Sequence, residues 1–108
     1  MLVLEYLDPS GRNPFRHWFD GLDTQAAIKI RTAIARLEQG NDSNTKSIGK
    51  GVFEYRVDFG PGYRIYFGRD GDALVILLGG GTKQRQGEDI VAAYARWADY
   101  KQRKRGSN

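Results

Sequence analysis

The chain has 108 residues, 40% hydrophobic and 28% charged, with 17 Lys and Arg against 13 Asp and Glu and a formal net charge of +4. That length holds one domain with a single core, and the composition is ordinary for a globular chain, so disorder is not expected. The absence of cysteine excludes a disulfide framework and thiolate zinc sites, and a lone histidine, His17, leaves neither a histidine metal centre nor a Ser-His-Asp device, so no metal or cofactor is expected.

The opening "MLVLEYLDPS" is too short and too acidic for a signal peptide, and no apolar run approaches the roughly 20 residues of a membrane span. A cytoplasmic protein is therefore expected. Residues 2–7, "LVLEYL", read as a strand, and "DPSGRN" as a turn, since Pro and Gly set turn dihedrals and Asp and Asn bond back to the backbone. Asn13-Pro14 is a helix start, with Asn as cap and Pro at the first helical position. Phe15, Trp18, Phe19 and Leu22 follow at i, i+3, i+4 and i+7 as one apolar stripe. Asp23 or Thr24 caps a second helix to about Gln39, with Ala27, Ile30, Ile34 and Leu37 inward, and Gly40 is its left-handed stop.

"NDSNTKSIGKG" has no period and reads as a loop. Three strands are predicted next, roughly 52–59, 63–68 and 73–79, joined by "GPG" and by the Asp-Gly turn in "RDGD". "ALVILLG" is nearly continuous in apolar residues, so it belongs inside the sheet, buried on both faces for most of its length. "GEDIVAAYARWADYKQRKR" closes the chain as a helix, acidic at its start and basic at its end, with Ile90, Tyr94 and Trp97 on one side. The basic tail, about 101–108, reads most simply as its solvated end. The order β-α-α-β-β-β-α predicts one α+β domain over residues 1–108, with a small antiparallel-rich sheet. Its helices are expected on one side and the other side at least partly open.

The stretch "YRVDFGPGYRIYF", residues 55–67, sets Tyr55, Val57, Phe59, Tyr63, Ile65 and Phe67 on one face of a hairpin. With "GPG" as a three-residue loop, Phe59 stands opposite Tyr63, Asp58 opposite Arg64, and Arg56 opposite Tyr66. Glu54, Arg56, Arg64 and Tyr66 then share the open face, because a one-residue slip would bury the arginines and expose the aromatics. The pattern also fits a solvated face on which Asp58–Arg64 and Arg56–Glu54 balance charge, each worth about 0–1 kcal/mol. A second basic group tips the reading: "GGGTKQRQ", residues 79–86, has glycines that let a ligand approach the backbone, followed by Lys83 and Arg85. It lacks the spacing of a nucleotide-binding P-loop. Taken with Arg56 and Arg64, it points to a basic cleft for phosphate, in keeping with a net charge that favours nucleic acid as partner.

"FEYRVDFGPGYRIYFG", "LLGGGTKQRQGEDI" and the closing A-x-x-x-W-x-x-Y helix resemble the RelE/ParE superfamily of toxin–antitoxin toxins. The HigB-like, phage-derived "addiction module killer protein" branch fits best, through Pro14-Phe15 with Trp18, Gly62 to Tyr66, and Gly80-Gly81-Thr82-Lys83 with Gln86. The resemblance covers about residues 2–101. It implies a RelE/ParE-like fold and a metal-independent endoribonuclease that cuts mRNA, usually on the ribosome, and so stops translation and growth. It further implies a cognate antitoxin, often a helix-turn-helix protein, with operator DNA met only through the antitoxin complex, and neither a cofactor nor a membrane.

In such a reaction the ribose 2′-OH attacks the adjacent phosphate, leaving a 2′,3′-cyclic phosphate and a 5′-OH. Arg56, Arg64 and Lys83 are the candidates to stabilise charge on the phosphate oxygens, Arg because its planar fork matches them. Glu54 is the candidate base, and Tyr66 or Lys83 the candidate acid. Lys46, Lys50 and Arg85 are expected on backbone phosphates. Some members use histidines or a C-terminal tyrosine that this chain lacks, and His17 is expected on the surface. The ParE side of the superfamily implies an alternative, inhibition of DNA gyrase by protein contact, and a relic that only binds antitoxin is a third.

Overall fold

The structure, a computed structural model, describes residues 1–106; the last two residues of the predicted basic tail lie outside the described residues. Its elements are β1 (Leu2–Glu5), α1 (Pro14–Asp20), α2 (Thr24–Glu38), β2 (Thr45–Ser47), β3 (Val52–Val57), β4 (Tyr63–Asp70), β5 (Leu74–Thr82) and α3 (Gln86–Gly106), with a 3-10 turn over Lys83–Arg85. Both expected caps form. The Asn13 side chain accepts from the Arg16 amide at 2.9 Å, and the Asp23 side chain from the Ala26 amide at 2.8 Å, each satisfying an amide left without a partner in the first helical turn.

The sheet runs β1-β5-β4-β3-β2, with β1 parallel to β5 and every other pair antiparallel. It is one strand wider than the sequence suggests. β2 comes from the stretch read as loop, where Thr45, Lys46 and Ser47 pair with Tyr55, Glu54 and Phe53. A three-residue edge strand with polar side chains has no apolar alternation to announce it.

The helices do not share one side of the sheet, which corrects that expectation. α1 and α2 bring Phe15, Phe19, Ile30 and Leu37 onto Tyr55, Ile65, Phe67, Val75 and Leu77. On the opposite face α3 packs Ala93 and Trp97 onto Val52, Tyr66, Ile76 and Leu78. The cause lies in β5: Val75 and Leu77 point one way, Ile76 and Leu78 the other, and a sheet apolar on both faces needs a layer on each. Glycines bring the layers close. A Cβ on Gly68 would overlap the Trp97 ring, and one on Gly80 would overlap Trp18 from the other side.

The β3–β4 hairpin is two residues out of the predicted register. Val57 pairs with Tyr63, Arg56 with Arg64, Tyr55 with Ile65 and Glu54 with Tyr66, which leaves residues 58–62 as the loop. Gly60 (φ 56°) and Gly62 (φ 83°) take the left-handed conformation that closes it. A shift of two preserves every face, so Glu54, Arg56, Arg64 and Tyr66 still point the same way. The expected Asp58–Arg64 and Arg56–Glu54 pairs do not form, because Asp58 has left the ladder.

Candidate functional site

Arg56, Arg64 and Lys83 meet at the loop end of this hairpin. Arg64 stands on β4 directly across from Arg56 on β3 and from Gly81 on β5. The Lys83 amide donates to the Gly62 carbonyl at 3.0 Å, which fixes Lys83 beside the loop. With Asp58, Phe59, Gly60, Pro61 and Gly62 these residues line a cavity of about 380 Å³. At Gly62 a Cβ would make only ordinary contacts, 3.6 Å from the Lys83 Cβ and 3.9 Å from Arg64 Nη1, so glycine is needed there for its left-handed φ of 83°.

The three cations are held differently. Arg56 and Lys83 are exposed, and neither forms an ion pair among the described residues. Arg64 is only 7% exposed, and its Nε lies 3.3 Å from Glu54 Oε1, an ion pair without the alignment of a hydrogen bond. Glu54 is completely buried, and its other oxygen accepts from Gln86 Nε2 at 2.8 Å. The first residue of α3 thus holds Glu54, and Glu54 holds Arg64. Two arginines opposed across a strand pair repel, so a buried carboxylate beside one of them is what the arrangement requires.

That chain of contacts corrects two assignments. Glu54, expected as a base, sits beneath α3 and does not line the cavity. Tyr66, expected as an acid, is 1% exposed, and its hydroxyl has no hydrogen-bond partner among the described residues. Burial raises its pKa well above the ordinary phenol value, the Glu54 and Asp89 carboxylates add to the shift, and Arg64 opposes it. Both residues were expected on an open face, and α3 covers it. Burial likewise raises the Asp89 carboxyl, aided by Glu88 and opposed by Arg85 and Arg96. A Cβ on Gly81 would collide with that carboxylate, one on Gly79 with Arg96 and one on Gly80 with Trp18, so these glycines serve packing against the helices and, contrary to the expectation of ligand access, none lines the cavity.

The cations expected on backbone phosphates are scattered. Lys46 is exposed on β2 beside Glu54, near the cavity but outside its lining. Lys50 lies in the turn before β3, at the opposite end of that strand from Arg56, with its Nζ 4.8 Å from the centre of the Tyr94 ring. Arg85 pairs with Glu88 at 2.8 Å. His17 is exposed on α1, as expected. In the tail, Arg103 pairs with Asp99 and Lys104 with Asp70. Sequence reasoning missed Asp58 as the carboxylate of the cavity, because the assumed register spent it on Arg64.

Residues 17–97 match a family model described as Phage derived protein Gp49-like (DUF891). The chain belongs to that family. An uncharacterized protein of Haemophilus influenzae is 44% identical over 80 residues, which cover 73% of this chain and 81% of the relative. The Gp49-like match runs from α1 to Trp97, so it takes in both helical layers and every residue lining the cavity. Among the described residues of this Gp49-like chain, no helix is long and apolar enough to cross a membrane, and no three His, Cys, Asp or Glu side chains gather as a metal site.

Proposed function

We propose that this Gp49-like protein is the toxin of a type II toxin–antitoxin pair, of RelE/ParE type, acting in the cytoplasm as a metal-independent mRNA endoribonuclease. The observation that carries the reading is the convergence of Arg56, Arg64 and Lys83 on one cavity whose walls are otherwise loop backbone, Asp58 and Phe59. Three cations at one spot favour a phosphodiester, and they favour its transition state more, because negative charge gathers on the non-bridging oxygens as the 2′ oxygen attacks.

The atoms balance as follows. The 2′-OH oxygen bonds to phosphorus, the bond from phosphorus to the 5′ oxygen breaks, and the products are a 2′,3′-cyclic phosphate and a 5′-OH. Asp58 takes the 2′ proton, since it is the carboxylate in the cavity lining. Lys83 supplies the proton that the 5′ oxygen needs. The forks of Arg56 and Arg64 hold the phosphate oxygens. The antitoxin silences this site by binding the protein, translating ribosomes present the message, and operator DNA is reached only through the antitoxin complex.

Induction without antitoxin tests the reading, with 5′ ends of mRNA mapped and gyrase supercoiling assayed alongside. New internal 5′-OH ends and growth arrest are expected. Arg56→Ala and Lys83→Ala, both at exposed positions, should each remove both, since one well-placed donor is worth about 3 kcal/mol, on the order of 10²–10³-fold in rate. Growth arrest with intact messages and blocked supercoiling would replace the nuclease with ParE-type action.

A further inference from the structure

A second cavity, about 280 Å³, lies between α2 and β3 and shares Arg56, Asp58 and Phe59 with the first. The shared residues set the two cavities side by side at the sheet edge. β2 covers β3 only as far as Tyr55, the partner of Thr45, and beyond it the Arg56 amide donates to the Asn44 carbonyl at 3.1 Å. The last residues of β3 are therefore an edge, with Arg56 and the first cavity toward the α3 face and the second cavity toward α2. Its floor there is Tyr55, Val57 and Phe59.

The far wall comes from α2. Lys29, Thr32 and Arg36 stand at i, i+3 and i+7, one stripe along the helix, and all three are exposed and line the cavity. Lys29 Nζ sits 5.5 Å from the centre of the Phe59 ring, and Arg36 forms no ion pair among the described residues. Toward the end of α3, Arg103 and Lys104 are matched to Asp99 and Asp70, while Lys101 and Arg105 are exposed without an ion pair among the described residues. Lys29, Arg36, Arg56 and Lys83 form no ion pair among the described residues, and all four line these two adjoining cavities.

We propose that the two cavities form one groove that carries a single strand of RNA onward from the cleavage cavity, with Lys29 and Arg36 on the phosphates of the nucleotides next to the cut and the Phe59 ring beneath a base. The proposal rests on the reading of the Arg56–Arg64–Lys83 cavity as a phosphodiester site. A single strand is required because the groove bends around a sheet edge, and an aromatic floor between cations is what unstacked bases and a flexible backbone use.

The test is fluorescence anisotropy of the full chain with labelled, uncleavable 2′-O-methyl RNA, a hexanucleotide and a dinucleotide, at several salt concentrations. Lys29→Gln/Arg36→Gln, two exposed changes, should weaken the hexanucleotide at least tenfold and leave the dinucleotide unchanged. It should also flatten the slope of log K against log salt by about 1.4, for two single-strand phosphates at about 0.7 each. Hexanucleotide affinity and slope at wild-type values in that variant, with binding lost in Arg56→Gln/Lys83→Gln, would overturn the groove and leave the cavity reading standing. An acidic peptide that binds through Lys29 and Arg36 where the hexanucleotide does not would overturn the groove alone, and wild-type protein that binds neither RNA would overturn both.

Discussion

Arg64 reaches the cavity from a nearly buried position, and its Nε is 3.3 Å from a carboxylate that is itself wholly buried. Glu54 is therefore a positioning residue. Its removal strands a guanidinium in a dry site, so Glu54→Ala should cost about 3–5 kcal/mol. For a domain of this size that is a fall in melting temperature of roughly 10 °C or more. Replacing both partners, as in Glu54→Leu with Arg64→Met, should restore much of that stability, because an apolar pair asks for no compensation. Thermal melts distinguish the two cases, and equal losses in the single and the double variant would refute the account of Glu54. Tyr66 gives the opposite contrast. Its hydroxyl is buried without a partner, so Tyr66→Phe should keep both stability and cleavage. An acid at that position would instead be worth roughly 10²–10⁴-fold in rate. The sequence placed these side chains on one face correctly, and what it lacked was the helix lying over that face.

At the level of elements, the C-terminal half of α3 is tied to the sheet by two aspartates. Asp70 on β4 accepts from Lys104 Nζ at 2.5 Å and from the Tyr100 hydroxyl at 2.7 Å. Asp99 on α3 accepts from the Tyr6 hydroxyl at 2.6 Å and from Arg103 Nε at 2.9 Å. The Lys104 bond, then the Tyr100 bond, hold the Asp70 carboxyl below its ordinary value, and Tyr6, then Arg103, do the same for Asp99. A depressed folded-state pKa means that the unfolded chain binds more protons, so this stabilisation is present above the ordinary aspartate range and is lost as pH falls through the lower folded values. Hydrogen exchange should show amides around residues 99–104 losing protection on acidification before those of β4 and β5. Loss in the reverse order would contradict the tether. Much of this level was legible: the caps at Asn13 and Asp23, the stripes of α1 and α2 and the interior place of β5 follow from residue type and spacing. The hairpin register was not, because "GPG" fits a loop of three or of five residues, and the left-handed conformations of Gly60 and Gly62 select the longer one. Side-chain alternation has period two, so the error of two left every face intact.

Across the whole molecule, the three-layer arrangement explains why cations collect where they do. Both faces of the sheet are covered along most of its length, and the cavity opens at the hairpin end, where residues 58–62 meet Lys83 just after β5. The sequence announced this convergence through Arg56, Arg64 and the run "GGGTKQRQ". It could not announce the extension along α2, since Lys29 and Arg36 look like any solvated helix face until β3 is seen to run past the cover of β2. Lys50 and Arg85 fell outside because chain proximity to the hairpin is not proximity to its loop end. The measurement closest to the central claim is the chemistry of the RNA ends left when the purified full chain is added to a translating extract. Cleaved message bearing 2′,3′-cyclic phosphate and 5′-OH ends, absent with Arg56→Gln/Lys83→Gln, is the predicted result. Intact message, or breaks that carry 5′-phosphates, would contradict it.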